Sequence, residues 1–271
     1  MGDLPQLDRD SQFSYACNRC MSCCHDAHIS LDPYELLRLA RNRNLTTTEF
    51  IARYLTEGGI VLRNRQDTSC VMLGADGCTV YSDRPQICRT YPLARRRGSD
   101  GEIILRYSGL TVSTGVYGTQ GTVSDFLKAH EVEDFFAASD RYFDLALRIA
   151  AILAAAAQRE PFRFATIRDT IEAHCQFQTA TIPSLIDVDR VVSDYCRERQ
   201  LEFPANLAEE LALHMQVVEE RLAIISAPTA DRVDASDALE EMAGALGAAA
   251  EARVLLAFVD GVFRPRESKA T

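Results

Sequence analysis

Tryptophan is absent from this 271-residue chain, lysine occurs only at Lys128 and Lys269, and glycine and proline number just 14 and 9. With 47% hydrophobic and 25% charged residues, that scarcity excludes the disordered, collagen-like and low-complexity classes. Long apolar runs are also missing. The most apolar stretch, Leu145 to Ala157, is too short to span a bilayer and carries Arg148 in its middle, so it predicts a core helix and no membrane insertion. Met1 to Asp8 is acidic and lacks the basic stretch and apolar run of a secretory signal, so a cytoplasmic location is expected. No P-loop occurs, and no G-x-G-x-x-G follows a predicted strand. Gly115-Val-Tyr-Gly118-Thr-Gln-Gly121 is G-x2-G-x2-G and reads as a flexible interdomain linker. The radical-type spacing C-x3-C-x2-C is absent as well.

What the chain does have is cysteine. Seven of the nine cysteines lie within residues 17–88, and only Cys175 and Cys196 lie beyond, where they read as small core residues. In a reducing compartment such clustering signals metal or redox chemistry more often than disulfides. Charge divides along the same line. Up to Gly121 there are 14 Arg against 13 Asp and Glu, and after it 15 Lys and Arg against 26 Asp and Glu, so the net charge of −10 sits in the second half. An acidic second half argues against nucleic-acid binding, which draws most of its affinity from basic contacts to phosphate. The predicted organisation is a cysteine-cluster metal-binding module over 1–121 and an acidic helical domain over 122–271. The fold class is α+β and mostly helical, with short strands and helices in the first part and an all-α region in the second.

Local signals fill in this outline. Asp32-Pro33-Tyr34-Glu35 has a capping residue, proline at the first helical position and a glutamate to close a capping box, and predicts a helix to about Asn44. A second helix starts at Thr47 or Thr48 and stops at Gly58-Gly59. Short strands are expected over 60–63, 70–73, 78–81 and 103–107, with a turn at Gly74-Ala75-Asp76-Gly77. Beyond Val123 the pattern is helical. Ser124-Asp125 and Ser139-Asp140 are expected caps, and further helices are expected over 163–177, 187–199, 205–226 and 233–259. His130, His174 and His214 read as surface or satisfied residues, and Glu209-Glu210 and Glu219-Glu220 as a solvated face.

The central motif is Cys17-Asn18-Arg19-Cys20-Met21-Ser22-Cys23-Cys24. Two-residue gaps let successive thiolates turn toward one centre, as in iron–sulfur runs and zinc knuckles. The adjacent Cys23 and Cys24 do not both face one ion without strain, so one of them points elsewhere or stays exchangeable. Cys70, Cys78 and Cys88 form a second group. Together the candidate metal ligands are Cys17, Cys20, Cys23, Cys24, Cys70, Cys78 and Cys88, three more than a four-thiolate site needs. With His25 or His28 there are donors for two sites. Either a 4Fe–4S centre or a structural zinc fits these donors. A four-thiolate centre of either kind carries about −2 charge and calls for nearby cations. Arg19, Arg84 and Arg89 are the candidates, Arg89 foremost. The Arg95-Arg96-Arg97 run reads as a solvated loop after Pro92.

Cys17-x2-Cys20-x2-Cys23-Cys24, Glu35, Cys70-Val-Met-Leu, Cys78-Thr-Val-Tyr81 and Arg84-Pro85-x2-Cys88-Arg89-x-Tyr91-Pro92 resemble the CxxCxxCC family, the YkgJ-like cysteine cluster of zinc- or iron-chelating domains, over about residues 13–93. A glycine commonly stands between the second cysteine and the pair in that family, where this chain has Met21-Ser22. The family includes flagellin lysine N-methylases. The resemblance therefore implies metal binding, and with it the alternative of an S-adenosylmethionine-dependent lysine N-methylase acting on a protein substrate. Otherwise the module organises a surface for a protein partner.

Overall fold

The computed structural model describes residues 5–56, 61–98, 101–106, 114–159 and 186–226. The helices expected over 163–177 and 233–259, and with them Cys175 and His174, lie outside the described residues. The architecture is mixed α+β. The described residues fall into two compact units, one drawn from Met1–Leu31 and Leu62–Ser139, the other from Asp32–Val61 and Asp140–Thr271.

In the first unit, β1 (Gln6–Leu7), β5 (Leu93–Gly98) and β6 (Gly101–Arg106) form an antiparallel sheet in the order β1-β6-β5, while β2 (Gln12–Ala16) pairs with β7 (Val116–Thr122). The hairpin of β3 (Leu73–Gly74) and β4 (Gly77–Cys78) turns through Gly77 at φ +120°, as the expected turn requires. The helices here are α3 (Gln86–Thr90), α4 (Val123–Ala129) and the start of α5 (Glu133–Arg159). Thr122, rather than Ser124, caps α4, in a reciprocal capping box with Asp125. No break occurs at Ser139-Asp140, because α5 runs through it.

The core of this unit gathers Phe13, Leu93, Ile104, Val123, Phe126, Leu127, Val132 and Phe136. Phe13 meets Phe126 edge-on at 5.1 Å between ring centroids. Two segments read as loop or linker are strands. Arg95, on β5, binds Glu102 at 2.6 Å and lies over the Phe136 ring, so pairing with β6 gives it both a partner and a platform. The glycines of 115–121 serve close contact. A Cβ on Gly118 would come within 2.6 Å of the Ser14 hydroxyl, and Gly121 takes φ +83° as the strand turns into α4. Of the strand expected over 60–63, residue 60 lies outside the described residues and Val61 and Leu62 form only a short bridged segment, with the Leu62 amide bonded to the Ile29 carbonyl at 2.9 Å.

The second unit contains α1 (Pro33–Asn42), α2 (Thr47–Tyr54), the rest of α5, α6 (Val188–Arg199) and α7 (Leu207–Ser226). Asp32/Glu35 and Thr46/Glu49 close capping boxes on α1 and α2. Leu37 packs with Val188, Val192 and Cys196, and the Cys196 thiol donates to the Glu202 carbonyl at 3.6 Å. Phe143, on α5, is 44% exposed.

Arg41 ties these helices together. Its guanidinium donates to both carboxylate oxygens of Asp189, at 3.0 and 2.6 Å, and to both of Glu210, at 2.7 and 2.8 Å. Asp189 also accepts the Thr47 amide at 2.5 Å, and Asp187 accepts the Thr47 and Thr48 hydroxyls at 2.6 and 2.7 Å. Glu210 was expected on a solvated face but is 3% exposed, because α7 presents it to this cation. Burial raises the Glu210 carboxyl to about 7, against the pull of Arg41. Asp189 is held below its ordinary value: burial opposes this, and the hydrogen bonds from Arg41 and Thr47 overcome it.

Replacing Arg41 strands two buried carboxylates. Arg41→Ala should cost about 2–3 kcal/mol in a denaturant melt, less than for a fully buried pair because the Arg41 side chain is 37% exposed. A carboxyl raised in the folded state adds stability that is complete below its unfolded value and lost as pH climbs through the folded one. The Glu210 contribution should therefore fade between the ordinary glutamate range and about pH 7, by at most about 1.4 kcal/mol per pH unit. The difference in unfolding free energy between the native chain and Glu210→Gln should follow that slope when measured at pH 5 and pH 8.

Candidate metal centre

The two cysteine groups meet because two loops of the first unit pair along their backbones. The Asp26 amide donates to the Thr68 carbonyl at 3.0 Å, the Cys70 amide to the Cys24 carbonyl at 2.7 Å, and His25 bridges to Ser69. This sets Cys24 beside Cys70. The β3–β4 hairpin, with Leu73 opposite Cys78 and the Thr79 amide on the Met72 carbonyl at 2.9 Å, then folds Cys78 back toward Cys70. A 3₁₀ turn at Tyr81–Asp83 and α3 bring up Cys88, whose amide bonds the Pro85 carbonyl at 2.9 Å.

The CxxCxxCC run is a tight, strained loop. Arg19, Met21 and Asp26 have φ of 56°, 61° and 52°, left-handed values that non-glycine residues rarely take. Met21 is the residue in the gap where the family commonly has glycine, and it precedes a single 3₁₀ turn, Ser22–Cys24, closed by the Cys24 amide on the Met21 carbonyl at 2.9 Å.

The thiols divide by environment. Cys20 is lowered to about 6, first by the Ser22 hydroxyl and then by the Thr114 and Ser22 backbone amides. Asn18 fixes that neighbourhood by donating to the Thr114 carbonyl at 3.0 Å and to its hydroxyl. Cys23 is lowered to about 7 because the Cys24 thiol donates to it. Cys24 is pushed far up in turn by giving that hydrogen bond, by burial, and by the charges of Cys23, Cys88 and Cys78. Cys70, which is buried, is raised by burial and by Cys78, and its sulfur accepts the Met72 amide at 3.5 Å.

A chain of pairwise influences thus links Cys20 to Cys23, Cys23 to Cys24, Cys24 to Cys78 and Cys88, and Cys78 to Cys70. Cys17 is exposed, and its sulfur accepts the Arg19 amide at 3.4 Å. His25 and His28 are both exposed. Among the described residues, no three Cys, His, Asp or Glu side chains lie close enough to hold a metal ion as they stand. The donor chemistry nevertheless fits one: soft sulfur, two thiols poised to ionise near neutral pH, and mutual repulsion that a cation relieves.

The three candidate arginines take different places. Arg89 is 3% exposed and donates to the carbonyls of Arg84 at 2.9 Å, His130 at 3.0 Å and Ser82, with the Phe135 ring 4.3 Å from its guanidinium carbon. It acts as a strut between the Cys88 segment and the start of α5. Arg84 and Arg19 lie over the Tyr81 ring, 4.0 and 5.8 Å from its centroid. Elsewhere, His130 bonds the Phe126 carbonyl at 2.8 Å and is lowered by burial. His214 is buried and bonds the Tyr142 hydroxyl at 3.0 Å. Both are satisfied structural residues. Thr114, remote from every cysteine in sequence, carried no signal of its part in tuning Cys20.

Among the described residues no helix is long and apolar enough to cross a membrane. Neither the curated proteins nor the solved structures gave a match to this chain. Residues 16–108, which contain every one of these thiols and both of the paired loops, match the CxxCxxCC family, described as "Putative zinc- or iron-chelating domain", and metal chelation is the function to which that match points.

Proposed function

We propose that the thiol group holds a 4Fe–4S centre, with Cys17, Cys20 and Cys23 as principal ligands and the fourth thiolate drawn from Cys24, Cys70, Cys78 or Cys88. The observation that carries this reading is the placement of two readily ionised thiols, Cys20 and Cys23, on one C-x2-C-x2-C run, with Cys24 protonated beside them and sensing Cys78 and Cys88. When bound, the group would supply electron transfer or a Lewis-acidic iron. The chain's own part is to orient sulfur, donate hydrogen bonds to it from Ser22 and Thr114, and release protons as it binds.

A structural zinc is the second reading. It is favoured by the influence of Cys78 on both Cys24 and Cys70 and of Cys88 on Cys24, which links four thiols, the ligand number of a closed zinc site. Lysine methylation of a protein substrate with S-adenosylmethionine rests on the resemblance alone. On either metal reading, the module serves a protein partner or substrate in the cytoplasm.

Anaerobic purification followed by metal and acid-labile sulfide analysis separates the two metals. Iron with near-equal sulfide is expected, and zinc without sulfide would sink the iron–sulfur reading. Cys20→Ser and Cys23→Ser should each abolish retention of the centre, whereas Cys24→Ser should only weaken it. Incubating the loaded protein with labelled S-adenosylmethionine and a lysine-rich protein extract should leave the extract unlabelled. Met21→Gly should keep the metal content and raise stability by about 1 kcal/mol, since glycine takes φ 61° without the side-chain penalty; a thermal melt of the loaded protein checks this.

A further inference from the structure

Beside the thiol loops lies a cluster that offers no metal ligand of its own. Tyr81 follows Cys78 and β4 and is 53% exposed. Arg84 stacks on it at 4.0 Å from the ring centroid and is anchored by donating from Nη1 to the Tyr81 carbonyl at 2.7 Å. Arg19, exposed and reaching in from the strained CxxCxxCC loop, lies over the same ring at 5.8 Å. Among the described residues no carboxylate pairs with either guanidinium, and the Tyr81 hydroxyl has no hydrogen-bond partner. This contrasts with Arg9, Arg41 and Arg95, each of which is ion-paired. Three residues past Arg84, Ile87 is 41% exposed. Two unpaired cations held in place by one aromatic ring, with an exposed aliphatic side chain nearby in sequence, amount to a preorganised and uncompensated positive surface.

We propose that the Arg19–Tyr81–Arg84 stack is a docking point for an acidic segment of a protein partner, whose carboxylates pair with the two guanidinium groups while an apolar side chain lies on the Tyr81 ring. Charge complementarity selects the partner. Both arginines offer forked donors that match carboxylates, and two guanidinium groups gathered on one ring suit a segment that brings more than one acidic side chain. The hydroxyl of Tyr81 gives a further donor at the rim. Arginine and tyrosine are also the residue types that concentrate binding energy at protein interfaces.

The test uses the metal-loaded full chain and a short fluorescein-labelled synthetic peptide of repeating Glu-Glu-Leu, with a Lys-Lys-Leu peptide as the control. Fluorescence anisotropy should show binding of the acidic peptide only, weakening as salt is added. Arg19→Glu combined with Arg84→Glu should lower affinity by about tenfold or more, and Tyr81→Leu by several-fold. Arg19→Ala, which removes an exposed side chain whose contact is the ring, should weaken binding even if the double variant does not fold. Metal content is recorded on every sample, so failure of the metal reading shows separately from failure of this one. Equal binding of both peptides, unchanged binding by the variants, displacement of the peptide by millimolar inorganic phosphate, or loss of metal together with peptide binding would each overturn the proposal. The last two outcomes assign the arginines to a small anion and to the metal centre respectively.

Discussion

Repulsion between sulfur anions is the constraint around which the cysteine-bearing unit is organised. Six thiols influence one another there, and the chain holds them in different protonation environments rather than letting them ionise together. Ser22 and Thr114 spend hydrogen bonds on Cys20, Cys24 lends its proton to Cys23, and burial holds Cys70 up. A single proton shared between adjacent sulfurs is a poor substitute for a cation. Metal binding displaces it and replaces several repulsions with attractions, so the same crowding that is unfavourable without metal becomes affinity when metal arrives.

The helical unit meets the same problem with carboxylates and solves it internally. Asp189 and Glu210 lie close enough to disturb one another, and Arg41 bridges them with four hydrogen bonds. Beside the thiols, the candidate arginines are engaged otherwise: Arg89 with carbonyls and the Phe135 ring, Arg84 and Arg19 with Tyr81. One unit carries its counter-charge in sequence. In the other, the candidate arginines are turned to other partners and Arg65 offsets only part of the rise at Cys70, an arrangement that agrees with chelation.

How much of this was legible in the sequence depended on the range of the signal. Capping boxes and apolar periodicity are local, so the helices at Pro33–Asn42, Val188–Arg199 and Leu207–Ser226 could be placed to within a few residues. Strand pairing is not local. Leu93–Gly98 hides behind three arginines because what makes it a strand is Glu102 and Phe136 across and beneath it, and Val116–Thr122 hides behind glycines whose purpose is contact with Ser14 and Tyr15. Glu210 looked solvated since its partner lies 169 residues away. The ligand candidates themselves were plain from spacing. The roles of Ser22, Thr114 and Tyr81 were not, because hydrogen bonds to a sulfur and stacking on a ring leave no periodic trace.

Chain order adds a last step. Residues 32–61 lie between the two cysteine groups in sequence, yet fold as α1 and α2 with the helical unit. As a free loop, this excursion would have to be closed entropically each time Cys17–Cys24 met Cys70–Cys88. Here the Thr47, Asp189 and Arg41 contacts order it, the Leu62 amide on the Ile29 carbonyl pins its two ends 2.9 Å apart, and the Cys24–Cys70 backbone bond forms a few residues further on. None of the seven ligand candidates lies on these two helices. What they supply is a closed loop, which brings two cysteine groups distant in sequence into one neighbourhood.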